Sequence, residues 1–287
     1  MLSIDHVTLA CSELESLRAA LAELGLATTY GGAHANGVTH MAARGLADGT
    51  YLELISRLPG PAASADRGWW PRAIESDAGP CAWSLACDDA AAEAARVARL
   101  GVSVSGPHAH QRTRPDGAVV RWEMVFLGDG EPGSLLPFAI QDRTPRPLRV
   151  PAAPTGSSAA GLPTGIAQVV VAVTDMPAAI ELFRRVYALD APSTGHSPRL
   201  GADLACFSGQ PLSLAVPASS SGWLAQRLAR HGSGPCAFLL GTENLEAADG
   251  RHALFPAEPW PGRRVAWFEP AALPDHGGHV LGISADS

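Results

Sequence analysis

His6 and Glu53 are residue types that do chemistry together. An imidazole and a carboxylate can bind a metal, and a buried carboxylate can serve as a general base. A comparison within the chain singles them out. Ile4-Asp5-His6-Val7-Thr8-Leu9-Ala10 returns as Ile166-Ala167-Gln168-Val169-Val170-Val171-Ala172. Tyr51-Leu52-Glu53-Leu54 returns as Pro211-Leu212-Ser213-Leu214, and Gly79-Pro80-Cys81-Ala82-Trp83 as Gly234-Pro235-Cys236-Ala237-Phe238. Three matches in one order at nearly constant offset describe a duplicated chain. At the two reactive positions the copies differ: Gln168 and Ser213 are poor metal ligands or none. The frame is kept twice, and the expectation is that the chemistry is kept once.

The elements that must position this pair follow from periodicity. Residues 2–10 alternate as a strand. Residues 12–25 put Leu14, Leu17, Leu21 and Leu24 on one helical face, with Ser12 as N-cap and Gly25 as stop. Short strands follow near 28–30, 38–43 and 51–56, giving the order βαβββ. After a connecting segment at 69–78 the order recurs: strand 81–87, helix 90–100, and strands 102–105, 119–126 and 135–141. The second half reads similarly. Strand 166–173, helix 177–187 and strands near 204–207 and 212–216 precede a connecting helix at 223–231. Strand 236–241, a short helix at 245–248 and strands near 252–254, 264–268 and 279–283 complete it.

Paired βαβββ units can form a curled mixed sheet with helices outside and a pocket inside. Strand parity puts His6, Thr8 and Ala10 on one face of the first strand, and Tyr51, Glu53 and Ile55 on one face of the fourth. The purely aliphatic faces, Val7/Leu9 and Leu52/Leu54, suit helix packing. His6 and Glu53 meet only if strands one and four are neighbours.

Those residues and motifs resemble the vicinal oxygen chelate superfamily, which includes glyoxalase I, extradiol dioxygenases and bleomycin-resistance proteins. The resemblance is to bacterial glyoxalase-like domain proteins. It rests on Leu2–Ala10, Gly31-Gly32-Ala33-His34, Gly49–Leu54, Arg114-Pro115-Asp116-Gly117, Arg121-Trp122 and Leu136-Pro137-Phe138. These cover the first half; the second half resembles the fold alone. The resemblance implies a divalent metal (Zn, Fe(II), Mn or Ni) held by His6 and Glu53, with open positions for substrate oxygens. The second module departs from that pattern. Ala82, Trp83 and Ser84, and Pro137, Phe138 and Ala139, stand where further ligands are expected. A third ligand is sought in His40, with His34, His108 and His110 as alternatives.

Arg121 and Glu123 share a strand face; they either bind an anionic substrate or form a salt bridge. Arg121 is expected to orient the substrate, and Thr8, His34, Tyr51, Ser84 and Glu123 to line the pocket. Without a metal, Glu53 is the best general base, because burial is expected to raise its pKa. The bland readings are a structural His6, a surface loop at His108/His110, a plain turn at Asp116-Gly117 and buried packing for Trp69-Trp70.

Composition bounds the rest. The chain has 287 residues, 46% of them hydrophobic and 17% charged, enough for two globular domains. A formal net charge of −7 without a basic run opposes nucleic-acid binding. No apolar stretch suits a membrane span and no signal peptide is legible. Five cysteines without a Cys-x-x-Cys suggest a reduced, cytoplasmic protein. The expected fold is α+β: tandem βαβββ modules forming two glyoxalase/dihydroxybiphenyl-dioxygenase-like domains, 1–142 and 166–287, the second degenerate. A Pro/Gly/Ser-rich linker, 143–165, joins them. The expected function is a metal-dependent lyase, isomerase or dioxygenase acting on a small oxygenated molecule in the N-terminal cavity. The alternative is a metal-free small-molecule binding or sequestering protein of the bleomycin-resistance type. A small-molecule ligand is the expected partner, and a homodimer is an expected assembly.

Overall fold

A computed structural model describes residues 1–60, 70–154, 160–269 and 280–285. Trp69, the middle of the 143–165 segment and His279 lie outside them. The first half runs β1 (Ile4–Ala10), α1 (Leu14–Glu23), β2 (Thr29–Ala33), β3 (Thr39–Gly45) and β4 (Tyr51–Arg57). The short helix α2 (Pro71–Glu75) leads to β5 (Gly79–Ala86), α3 (Ala90–Ala98), β6 (Val104–Thr113), β7 (Val119–Leu127) and β8 (Phe138–Asp142). A helical turn, α4 (Arg146–Arg149), follows. The second half runs β9 (Pro163–Ala172), α5 (Met176–Tyr187), β10 (Ser193–Ser197), β11 (Ala202–Cys206), β12 (Leu212–Pro217) and α6 (Trp223–His231). It ends with β13 (Gly234–Thr242), α7 (Leu245–Asp249), β14 (Glu258–Trp260), β15 (Arg263–Trp267) and β16 (Leu281–Ala285).

Each half is one eight-stranded mixed sheet, ordered β2-β3-β4-β1-β5-β8-β7-β6 and β10-β11-β12-β9-β13-β16-β15-β14. These are the expected tandem βαβββ modules. β1 lies parallel to β4 and antiparallel to β5, so strands one and four are neighbours, with Thr8 opposite Glu53. The first sheet curls until its edges meet: His34, just past β2, bridges Arg112 of β6. An eight-stranded closed sheet has an interior just wide enough for its own side chains or one small ligand.

The helices pack outside for the reason the pattern gave. Leu14, Leu17 and Leu21 of α1 join Val7, Leu9, Leu52 and Leu54 in one core. α3 buries Ala90, Ala94 and Val97, and Asp89 caps it by accepting from the Ala92 N–H at 2.9 Å. Ser12 does not cap α1; its N–H and hydroxyl donate to Asp77 instead. β6 extends through His108 and His110, beyond the expected short strand, because an edge strand tolerates polar residues that read as loop. Around 252–254 there is only an isolated bridge from Leu254 to Phe268. The segment read as a linker does more than connect. Its turn α4 packs against the first half, and β9 begins inside it at Pro163. Among the described residues no helix is long and apolar enough to cross a membrane.

Candidate functional site

The interior of the first sheet holds a cavity with about 30 Å³ of free space. That is room for a water or two, not for an organic ligand. His6, His34, Tyr51 and Glu53 form its polar side, and Trp70, Trp122, Met124, Phe138 and Ile140 its apolar wall. His6 Nε2 lies 3.4 Å from Glu53 Oε2, so the two side chains project together as parity requires. Thr8 donates to Glu53 Oε2 at 3.1 Å. Glu53 Oε1 makes no hydrogen bond to a described residue; His34 Nε2 is 3.8 Å from it.

The other edge of His6 is fixed by a neighbour that strict alternation would send to the opposite face. Ile4 pairs with Leu85 and His6 with Ser84, leaving Asp5 as the extra residue of a bulge. A bulge re-aims a side chain. Here it lets Asp5 Oδ1 approach His6 Nδ1 to 2.7 Å, with Ser84 Oγ also 2.7 Å from that nitrogen. Tyr51 stacks on the imidazole at 4.5 Å between ring centres.

Asp5 is fully buried and is held by α4. Arg149, whose side chain is 3% exposed, donates to both Asp5 oxygens at 2.9 and 2.8 Å, to Asp142 Oδ2 at 3.0 Å and to the Tyr51 hydroxyl at 2.8 Å. Arg146 also donates to Asp5. The buried chain of contacts is therefore Arg149, Asp5, His6, Glu53.

Burial pushes the Asp5 carboxyl up, but the charge of Arg149 and the hydrogen bond from His6 outweigh it, leaving its pKa well below the usual value. Burial works against charge on His6, yet hydrogen bonds to Asp5 and Glu53 outweigh it and raise its pKa. Burial raises Glu53, but hydrogen bonding and charge from His6, with His34 and Thr8, hold its pKa below the ordinary value. This corrects the expectation that burial raises it. His6 thus lies between two carboxylates, Asp5 and Glu53. His34 is driven towards the neutral form by burial, with Arg112 adding to that, and its Nδ1 sits 2.8 Å from Thr39 Oγ1.

The structure brings together His6, Glu53, Thr8, His34, Tyr51 and Ser84, and leaves out His40, Arg121 and Glu123. Met41 faces the cavity, so adjacent His40 faces the other way and meets Tyr30 edge-on at 5.9 Å. Likewise Trp122 and Met124 face inward, so Arg121 is exposed and Glu123 pairs with Arg143 at 2.8 Å. The polar face of β7 is its outer face. The cavity's guanidinium groups are Arg112 and Arg149 instead. Arg112 donates to the Gly31 carbonyl and, at 3.0 Å, to that of Arg149. A Cβ at Gly31 would stand 2.1 Å from Met41 Sδ, so a larger residue there would displace the Met41 side chain. His108 and His110 lie on β6 but do not line the cavity.

The second half has spent the corresponding groups. Gln168 Oε1 accepts from the Trp260 indole N–H at 2.7 Å, and the Ser213 hydroxyl donates to Cys206 Sγ at 2.9 Å. Trp260 and Trp267 fill the space with a buried apolar cluster.

Fold and site together define a vicinal oxygen chelate architecture. A family model described as a glyoxalase-like domain matches residues 4–187, and the chain belongs to that family. Two solved structures share the fold over nearly the whole chain. A hypothetical protein from Staphylococcus aureus is 12% identical, covers 100% of both chains and has a TM-score of 0.63. A triple mutant of 4-hydroxymandelate synthase from Streptomyces coelicolor is 13% identical, covers 99% of this chain and 92% of that one, and has a TM-score of 0.64. Methylmalonyl-CoA epimerase from Streptomyces coelicolor matches 42% of this chain and 94% of its own at 22% identity, with a TM-score of 0.35. A search of curated proteins finds no match.

Proposed function

We propose that the first half is a small-molecule-binding unit in which the His6–Glu53 pair recognises a polar head without a resident metal. One observation carries this reading. Glu53 lines the cavity, its pKa is held below the ordinary carboxylate value, and no described residue donates a hydrogen bond to its Oε1. A carboxylate oxygen at a cavity accepts hydrogen bonds, and a ligand N–H or O–H would supply the donor. The apolar wall suits an aromatic or aliphatic body.

The donor set does not fit a resident metal. His6 and Glu53 are spaced as two ligands of one ion would be, and Asp5 supports His6 as metal-bound histidines are supported. Yet among the described residues no three His, Cys, Asp or Glu side chains form a metal-holding group. The second module offers Phe138 and Ile140 to the cavity, and neither is a metal ligand. The competing reading, a metal-dependent lyase, isomerase or dioxygenase, rests on that two-ligand spacing.

The ligand's body needs more room than the inner cavity gives. A cleft of about 610 Å³ adjoins it, and Met41, Arg112 and Arg149 line both spaces and form the wall between them. Tyr30 and Leu148, each 37% exposed, line the outer cleft. Titration of the full chain with phenol and with benzylamine, followed by tryptophan fluorescence of the Trp70/Trp122 wall, tests the reading. Saturable quenching that weakens at least about tenfold in Glu53→Gln supports it. Equal affinity in that variant, or no saturation with either probe, refutes it.

A further inference from the structure

A second cavity, about 490 Å³, lies where the two halves meet, and nothing in the first-sheet site accounts for it. It sits on the internal repeat. Pro80 and Cys81 line it from the first half, Gly234 and Pro235 from the second, and the connecting helices α2 and α6 flank it with Arg72 and with Arg227 and Arg230. This cavity is several hundred Å³ where the first-sheet interior is about 30 Å³. Its size is that of a metabolite site.

Its charge is opposite to that of the protein. The chain carries 28 acidic and 21 basic residues. This cavity is lined by three arginines and one carboxylate, Glu131, whose Oε2 already accepts from the Trp70 backbone N–H at 3.2 Å. Arg227 is the decisive group. It donates to the carbonyls of Ala78 at 2.6 Å and Pro235 at 2.7 Å, and also to that of Pro80. Three of its five donors are thus spent on neutral partners. No described Asp or Glu forms an ion pair with it, nor with Arg72 or Arg230. A largely buried guanidinium without a counter-charge is costly, and burial drives its pKa down.

We propose that this junction is an anion-binding site for a small molecule bearing two or more carboxylate or phosphate groups, held by Arg227 from below and by Arg72 and Arg230 from the two sides. Arginine forks match both oxyanion types. The site needs both halves: α2 supplies one arginine and α6 the other two. It also gives the second half a role although its own interior is filled. The inference is independent of the reading of the first-sheet cavity.

Pyrophosphate, citrate and orthophosphate are titrated into the full chain by calorimetry, with ionic strength held constant by sodium chloride. The expected result is one site per chain for pyrophosphate or citrate, with orthophosphate weaker. Which of the first two binds more tightly tells phosphate from carboxylate chemistry. Arg227→Met removes two contacts between the halves and is expected to impair folding, so the test rests on Arg72→Glu and Arg230→Glu. Neither side chain is tied to a described carboxylate. Each is expected to weaken binding about tenfold, and the pair to abolish it. No saturable binding by any of the three anions, or unchanged affinity in the folded double variant, overturns the proposal.

Discussion

Arg149→Met tests how the site is held. Methionine keeps the apolar stem and removes the guanidinium, leaving the fully buried Asp5 with Arg146 and His6 alone. Removing one partner of a buried ion pair costs about 3–5 kcal/mol. Arg146 still reaches Asp5, which favours the low end. Loss of the bond to the Tyr51 hydroxyl adds about 1 kcal/mol. Asp142, 21% exposed, is rehydrated at little cost. The expected loss is about 4 kcal/mol, or roughly 10 °C in Tm, read by urea and thermal unfolding of the full chain.

The charge origin gives a sign. Asp5 has a folded pKa below its ordinary 3.8, so its stabilisation is complete above that value and is lost as pH falls through the folded pKa. Without Arg149, burial is left to raise that pKa. The wild-type advantage is therefore full at neutral pH and shrinks in acid. A loss below about 1 kcal/mol, or one that is the same at pH 7 and about pH 3.5, would refute the ion-pair account.

Four further outcomes follow from the same geometry. His6 has a folded pKa above its ordinary 6.5 and Glu53 one below its ordinary 4.5. Their mutual stabilisation is thus complete between those two values, falls off as pH rises through the folded His6 pKa, and falls off in acid below 4.5. A His6→Gln/Glu53→Gln double-mutant cycle run against pH reads this directly, and a flat profile contradicts it. Asp5→Asn removes the strongest hydrogen bond that raises His6, so its NMR-detected imidazole pKa is expected to fall; no change would dissociate Asp5 from the ring. Gly45→Ala places a Cβ 1.9 Å from the Pro151 carbonyl, pushes the segment after α4 away and costs about 1–3 kcal/mol. Met41→Ala joins the inner cavity to the outer cleft; it costs about 2–5 kcal/mol in stability and speeds probe association in stopped-flow fluorescence.

Much of the fold was legible because its signals are local. The repeat located the paired modules, and alternation in β1 and β4 placed His6, Thr8, Tyr51 and Glu53 on one surface. The same reasoning failed where polarity was taken as the mark of the interior. In β7 the apolar residues Trp122 and Met124 face the cavity while Arg121 faces water, because the barrel wall is largely apolar. His40 was displaced by the same single-residue parity: Met41 holds the inward position. Asp5 was hidden by alternation itself, since only a bulge brings consecutive residues to one side, and bulges leave no sequence signature here. Arg149 lay in a segment whose Pro-rich composition says nothing about where it docks. The raised His6 and lowered Glu53 depend on which charges surround them in space, and desolvation alone gives the wrong sign for both.

The most direct test of metal-free recognition by His6 and Glu53 is equilibrium dialysis of the untagged full chain against Zn, Fe(II), Mn and Ni, with bound metal counted per chain by elemental analysis. The account predicts only background metal, equal in the wild type and in His6→Ala/Glu53→Ala. One equivalent of metal in the wild type, lost in the double variant, would contradict it.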